Sequence, residues 1–416
     1  MKRSVLVRGA RQLLTLHGPS IPRRGEALRS IGVIEDGSVL IVNGIIAHVG
    51  STRRVENLAE ARSAEEINAA GRVVMPGFVD SHTHLVGAPA RVVQRQRSSS
   101  LTLDALPLAM QYIRNTPAAT LDFQARRYLE LLLRHGTTTV EAKSGYGLNA
   151  SAEFKTLRVL TALDGGVTAV IPTFFGAHVL PPEFASADEY VGWLCAELLP
   201  RVRERKLAAF VDVLCDPSGF TAQQVRPYLD TARRLGLGVK IHADQSMCTG
   251  GTRLAVEFGA VSAAGLNALE EEDIATLARS GTIATLLPGT IHEGSFNRYP
   301  PARQLIDRGA AVALATAFKP WSPSTFSMQM IVSLACSHMN MSPEEAISAA
   351  TINGAHAVGR GGRCGSLEYR KDADLLILDV SDYREIPMHF GCNIVAMALR
   401  KGHVVYREGA LTCGGG

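Results

Sequence analysis

The run Pro76-Gly77-Phe78-Val79-Asp80-Ser81-His82-Thr83-His84-Leu85 decides how the rest of the chain is read. An apolar stretch, Val73-Val74-Met75, leads into a Pro-Gly step, and a short strand then carries two histidines one residue apart. Side chains at i and i+2 project from one face of a strand, so His82 and His84 point the same way. Two imidazoles so related can share one metal ion, since Zn²⁺ takes neutral nitrogen at about 2.0–2.1 Å. The bland alternative is a pair of ordinary polar histidines at a strand end. The Gly-Phe-Val-Asp-Ser lead-in favours the metal strand.

Outward from this run, residues 72–360 alternate short apolar runs with segments of helical spacing. The spacing predicts strands at 73–84, 138–143, 169–178, 208–215, 238–244, 260–264, 282–288 and 311–318. Eight strands separated by helices is the count of a (β/α)8 TIM-type barrel of the α/β class. Their apolar character fits a parallel sheet buried on both faces. In such barrels the chemistry sits at the C-terminal strand ends. The segment from Ser342 reads as a capped structural helix, with Pro343 at its first position and Glu345 completing a capping box.

Both ends of the chain are β-rich. Asn43-Gly44 breaks two strand-like runs as a hairpin turn does, and Lys401-Gly402 separates two more. Neither end carries enough apolar surface to stand alone. Residues 1–70 and 362–416 are therefore expected to build one small β-sandwich beside a barrel spanning 71–361.

At 416 residues the chain suits a barrel plus an accessory domain. Hydrophobic residues make up 46%, the mean hydropathy is +0.09, and no apolar run reaches membrane-spanning length. Arg8 and Arg11 interrupt the first apolar stretch, so no signal peptide is read and a cytoplasmic location is expected. The net charge of +4 comes from scattered basic residues without interleaved aromatics, which argues against nucleic acid. Seven dispersed cysteines with no Cys-x-x-Cys pair argue against a disulfide framework or a thiolate zinc site.

The opening run resembles the first barrel strand of the amidohydrolase superfamily. Further stretches resemble its imidazolonepropionase family: Glu141-Ala142-Lys143-Ser144-Gly145-Tyr146-Gly147, Phe174-Phe175-Gly176-Ala177-His178, Lys240-Ile241-His242-Ala243-Asp244-Gln245, and Ala350-Thr351-Ile352-Asn353-Gly354-Ala355-His356. The resemblance implies hydrolysis of a C–N bond in a small cyclic amide such as 4-imidazolone-5-propionate, a step of histidine degradation. It also implies one divalent ion, zinc or iron, held by His82, His84 and His242. Arg91 would pair with the substrate carboxylate, while Tyr146 and His178 would line the pocket. Gln245 stands where the family carries glutamate or glutamine, and a homodimer is the assembly related barrels suggest.

Two stretches depart from that family. Its Ala-Thr-Asp-Phe-Asn-Pro reads here Ala315-Thr316-Ala317-Phe318-Lys319-Pro320, and its Ser-Ala-Asp-His-Leu reads Ser262-Ala263-Ala264-Gly265-Leu266. A metal-ligand aspartate and a catalytic histidine are thus replaced, each a group worth roughly 10²–10⁴ in rate. The substitutions leave a tris-histidine site with a weakly held metal. Lys319, flanked by Phe318, Pro320 and Trp321, offers an alternative: a desolvated amine for Schiff-base chemistry. A snorkelling lysine is its bland reading. A pocket that binds without turnover is the third reading left open.

Overall fold

The computed structural model describes residues 3–90, 105–293 and 298–409. Five strands precede the barrel: β1 (Ser4–Leu14), β2 (Val33–Val42), β3 (Ile45–Ser51), β4 (Glu65–Asn68) and β5 (Val73–Pro76). The barrel strands are β6 (Phe78–Thr83), β7 (Thr137–Lys143), β8 (Ala169–Ala177), β9 (Phe210–Cys215), β10 (Gly238–Ala243), β11 (Ser262–Gly265), β12 (Ile283–Leu286) and β13 (Val312–Leu314). Three more follow: β14 (Leu375–Leu378), β15 (Val395–Arg400) and β16 (His403–Arg407).

The run read as a single strand over 73–84 is two strands in two different sheets. β5 pairs antiparallel with β14 and parallel with β1, whereas β6 pairs parallel with β7. Pro76-Gly77 is the crossing point. Gly77 donates its N–H to Asp374 O at 3.0 Å, and Phe78 donates to Gly136 O at 3.0 Å, so adjacent amides serve different sheets. A Cβ at Gly77 would lie 2.1 Å from Thr138 Oγ1, which is why the crossing requires glycine.

The terminal strands form one mixed sheet in the order β16-β15-β14-β5-β1-β2-β3, with β4 also on β1. This sheet has its own core, in which Val5, Val7, Val39 and Ile41 from the start of the chain meet Leu375, Ile377 and Leu399 from its end. Asn43 (φ 51°) and Gly44 (φ 81°) make the β2–β3 turn, and Lys401 (φ 46°) and Gly402 (φ 69°) the β15–β16 turn. Both are the left-handed pairs that two-residue hairpins favour.

The second sheet runs β13-β12-β11-β10-β9-β8-β7-β6, all parallel. It closes into a barrel where His84 N–H donates to Phe318 O at 2.8 Å beside the Thr83–Phe318 bridge. Helices such as Ala118–Arg134, Ala150–Leu163 and Ala222–Arg234 alternate with the strands and bury Leu129, Leu157, Tyr228 and Leu229 against the sheet. The helix Pro343–Ala350 carries its expected cap: Ser342 accepts from Glu345 N, and the Glu345 carboxylate accepts from Ser342 N. The lumen is not apolar throughout. Lys240 on β10 reaches Glu141 on β7 at 2.8 Å, and with β8 and β9 between them in the sheet this pair spans the barrel interior.

Candidate active site

Strand periodicity sets the site's first layer. His82 and His84 share one face at the C-terminal end of β6, and β10 delivers His242 across the barrel. The His82 ring lies 5.2 Å from that of His84 and 5.1 Å from that of His242, edge-on in both cases. His82 is 1% exposed and His84 2%, yet His82 Nε2 and His84 Nδ1 have no hydrogen-bond partner. Burial depresses the pKa of both rings, aided for His82 chiefly by the charge of Lys143 and for His84 by that of Lys319. They are neutral imidazoles with buried, uncommitted nitrogens, the donor chemistry that suits a borderline divalent metal.

His242 is held differently. Its Nε2–H donates to Gln245 Oε1 at 2.6 Å, and Gln245 Nε2 donates to Thr290 Oγ1 at 3.4 Å. Burial lowers the His242 pKa against the Gln245 hydrogen bond and the Asp212 charge. Two carboxylates lock the loop carrying Gln245. Asp216 accepts from Gln245 N, Ser246 N and Ser246 Oγ, while Asp244 accepts from Thr249 N, Thr249 Oγ1 and Thr252 N. Among the described residues the three imidazoles do not bring three ring nitrogens within 4.8 Å of one another. The sulfur of Cys248 and carboxylate oxygens of Glu270 and Asp273 do lie within 4.8 Å of one another, but there Arg253 pairs with Asp273 at 2.7 Å and the two carboxylates form a helix capping box. That triplet is an ion-paired helix end.

An aromatic wall rises beside His84. Tyr146 packs edge-on against His84 at 5.2 Å, His178 at 4.7 Å and Trp321 at 4.6 Å, while Phe175 stacks on His178 at 4.6 Å. The His178 Nδ1–H donates to Gly145 O at 2.9 Å, which leaves Nε2 as an acceptor, and burial lowers this ring's pKa to about 4. Sequence reasoning placed Tyr146 and His178 here but treated Trp321 only as a flank of Lys319. The signal for it was Gly87, where a Cβ would sit 1.8 Å from the indole. Thr290 was also missed, because it lies 45 residues from the glutamine it meets.

Lys319 is half-buried at the end of the eighth strand, its backbone pinned by Ser324, which accepts from Lys319 N at 3.1 Å and donates to Lys319 O at 2.8 Å. Its ammonium lowers the pKa of His84, His178 and His242, so it bears on all three rings. Ala317 lies in an apolar cluster with Ala264, Leu287 and Ala315. Ala317 and Gly265 have left-handed backbones, at φ 54° and 93°. A Cβ at Gly265 would lie 2.9 Å from Ala243 O and 3.2 Å from His242 Nε2. Arg91 lies outside the described residues. His292, on the turn after β12, is exposed and lines an outer pocket with Phe326.

Beneath the histidines, Lys143 pairs with Asp212 at 2.6 Å and Glu141 at 2.8 Å, and Thr173 donates to Glu141 at 2.6 Å. Together with Lys240 these charges balance, and none of the four is more than 3% exposed. Such a network keeps two ammonium groups in the lumen without net charge.

The amidohydrolase family model matches residues 73–405, from β5 through the barrel to β16. The imidazolonepropionase of Geobacillus kaustophilus is 43% identical, over 98% of this chain and 99% of its own. That of Alkaliphilus metalliredigens is 40% identical, over 97% and 98%. The chain belongs to the amidohydrolase family, with the imidazolonepropionases. Among solved structures, an adenosine deaminase from Xanthomonas campestris with bound zinc superposes with a TM-score of 0.70 at 19% identity, covering 97% of this chain and 93% of that one. That likeness is one of fold. No helix among the described residues of this amidohydrolase is long and apolar enough to cross a membrane.

Proposed function

We propose that this amidohydrolase hydrolyses a C–N bond of a small cyclic amide of the imidazolone type, using a divalent metal, zinc or iron, held by His82, His84 and His242. The observation that carries the reading is the pair of buried, neutral, unpartnered nitrogens, His82 Nε2 and His84 Nδ1, beside a third imidazole. Three neutral nitrogens plus one open position make a working zinc donor set. Identity of about 40% to curated imidazolonepropionases over nearly the whole chain supports the substrate class. The bound cation supplies a Lewis acid for the amide carbonyl and acidifies water.

The chain's own residues would do the rest. His178 Nε2, fixed as an acceptor by the Nδ1–H bond to Gly145, receives a ring N–H of the substrate and orients it. Tyr146 packs along the substrate ring. The Lys319 ammonium, bearing on His84, His178 and His242, faces the amide oxygen as negative charge develops there. Arg91 takes the substrate carboxylate. Ala317 brings neither an anionic ligand nor a carboxylate to accept water's proton, so turnover would be slow.

The test is hydrolysis of 4-imidazolone-5-propionate, with metal analysis, on the wild type and Ala317→Asp in Zn²⁺ or Fe²⁺. Ala317 already holds a left-handed backbone that aspartate tolerates, so the exchange adds a carboxylate without rebuilding the strand end. Metal content should rise toward one per chain and turnover by roughly 10²-fold. No hydrolysis by either protein, with metal far below one per chain in both, would overturn the reading.

A further inference from the structure

The loop that carries Tyr146 is held by a buried carboxylate that has no ion-pair partner among the described residues. Glu153, in the first turn of the helix Ala150–Leu163, is 1% exposed. Its oxygens accept from the loop's own backbone instead. Gly145 N–H donates to Oε2 at 2.9 Å, while Gly147 N–H and Leu148 N–H donate to Oε1 at 2.9 and 3.0 Å. The Ser144 hydroxyl donates to the same carboxylate, and its oxygen accepts from Phe175 N at 3.4 Å. Burial raises the Glu153 pKa, and these bonds act against that rise. An ionised carboxylate is the side chain whose two oxygens both accept and never donate, and burying one without a cation is costly.

We propose that Glu153 is a positioning residue for substrate recognition: it sets the pose of Tyr146 and, through Gly145, that of His178 against the ring of a small heterocyclic substrate. The proposal rests on the reading that Tyr146 and His178 face that substrate. Tyr146 stands between two glycines whose amides both end on Glu153, and Gly145 O accepts from His178 Nδ1 at 2.9 Å. The Tyr146 ring in turn meets His178 at 4.7 Å and Trp321 at 4.6 Å. One carboxylate therefore fixes the backbone on either side of the tyrosine and the carbonyl that orients the histidine. Other bonds set the loop's course: Ser144 N donates to Thr173 O at 3.0 Å, and Arg114 Nε donates to Gly147 O at 2.7 Å. Asn149 caps the helix by accepting from Ala152 N at 2.9 Å. The N–H groups of Gly145, Gly147 and Leu148 are left to Glu153. Glu153→Gln keeps the side chain's size but turns an NH₂ group toward at least one of those N–H groups, and two donors face to face displace the loop.

The experiment pairs two readouts on the full chain, neither of which needs turnover. Trp193 and Trp321 are the two tryptophans, so in a Trp193→Phe background the fluorescence reports on Trp321, which packs edge-on against Tyr146. Calorimetry with imidazole-4-propionate, which carries the ring and the carboxylate but no amide to hydrolyse, gives the affinity of the pocket. Glu153→Gln should shift the Trp321 emission while the far-ultraviolet spectrum stays native, and should weaken binding about ten-fold. Ser144→Ala removes one donor and leaves Glu153 in place, so it should move both readouts the same way by less. Asn149→Ala removes the cap of the same helix and lowers stability, yet should leave emission and affinity at the wild-type values. Unchanged readouts in Glu153→Gln overturn the positioning role and leave the proposed function standing, as does an equal loss of affinity in Asn149→Ala. Unchanged readouts in Ser144→Ala overturn it even where Glu153→Gln does not fold. No binding of imidazole-4-propionate by the wild type overturns the substrate reading together with this proposal.

Discussion

Asp80 on the first barrel strand accepts two hydrogen bonds from Thr316 beyond the eighth, from its backbone nitrogen at 3.1 Å and its hydroxyl at 2.5 Å. These bonds sit at the seam where β13 meets β6 and the direct strand pairing is shortest. The Thr316 hydroxyl oxygen also accepts from Phe318 N at 3.0 Å and so shapes the turn into Ala317. Thr316→Val keeps the shape but leaves a buried carboxylate oxygen without its donor. Such a loss costs about 1–3 kcal/mol, so the variant's denaturant midpoint should fall while its far-ultraviolet spectrum stays that of the wild type. An unchanged midpoint would show that the seam does not depend on this side chain.

The lumen network of Glu141, Lys143, Asp212 and Lys240 is the place where one substitution should do most harm. Lys143→Met leaves Asp212 and Glu141 short of a cation in a site they cannot leave, and breaking a buried pair in this way costs about 3–5 kcal/mol. The comparison is Arg226→Met, which removes the pair Arg226–Glu257 from an exposed helix surface, where ion pairs are worth about 0–1 kcal/mol. Chemical denaturation of both variants should separate them clearly, and equal losses would argue that water reaches the lumen charges.

His356 predicts an acid limit to stability. Burial, helped by the charge of Lys371, lowers its pKa to about 4, against about 6.5 in an unfolded chain. Between those values the unfolded state binds a proton that the folded state refuses, so stability declines as pH falls from about 6.5 to about 4. His356→Gln removes that contribution. Its melting temperature should lose less than the wild type's over the same window, and parallel curves would exclude His356 as the source.

Positions 265 and 317 should respond in opposite ways to enlargement. Gly265 sits at φ 93°, and a new Cβ would press on Ala243 O at 2.9 Å, so even Gly265→Ala should cost about 1–2 kcal/mol. Restoring the family's histidine there meets the same backbone obstacle. Ala317 already carries a Cβ at φ 54°, so Ala317→Asp should change stability little while raising metal content. Thermal melts of the two single variants decide between this asymmetry and a freely exchangeable pair.

Local signals made much of the molecule legible. His82 and His84 share a face because strand side chains alternate, the Asn43-Gly44 and Lys401-Gly402 turns follow from left-handed dihedrals, and the Ser342 cap follows from orphaned helix amides. Where a local rule had two outlets it failed to choose. The run from 73 gave no hint that Pro76-Gly77 passes the chain from one sheet to another, because both strands are buried along their whole length. Nor did apolar patterning foresee charges in the lumen, since a salt bridge across a barrel depends on the facing strand rather than on sequence neighbours.

Periodicity and motif in the sequence by itself determined eight parallel strands, a sheet shared by the two termini, and the identity of the histidines at the strand ends. Tertiary structure alone decided what each of those groups meets. Thr290 fixes the orientation of Gln245, Trp321 fills the space Gly87 leaves, and Lys240 finds Glu141 across the lumen. The physical reason is one of range: dihedral preferences and side-chain alternation act over a few residues, while contacts through a closed barrel depend on register summed over strands some hundred residues apart.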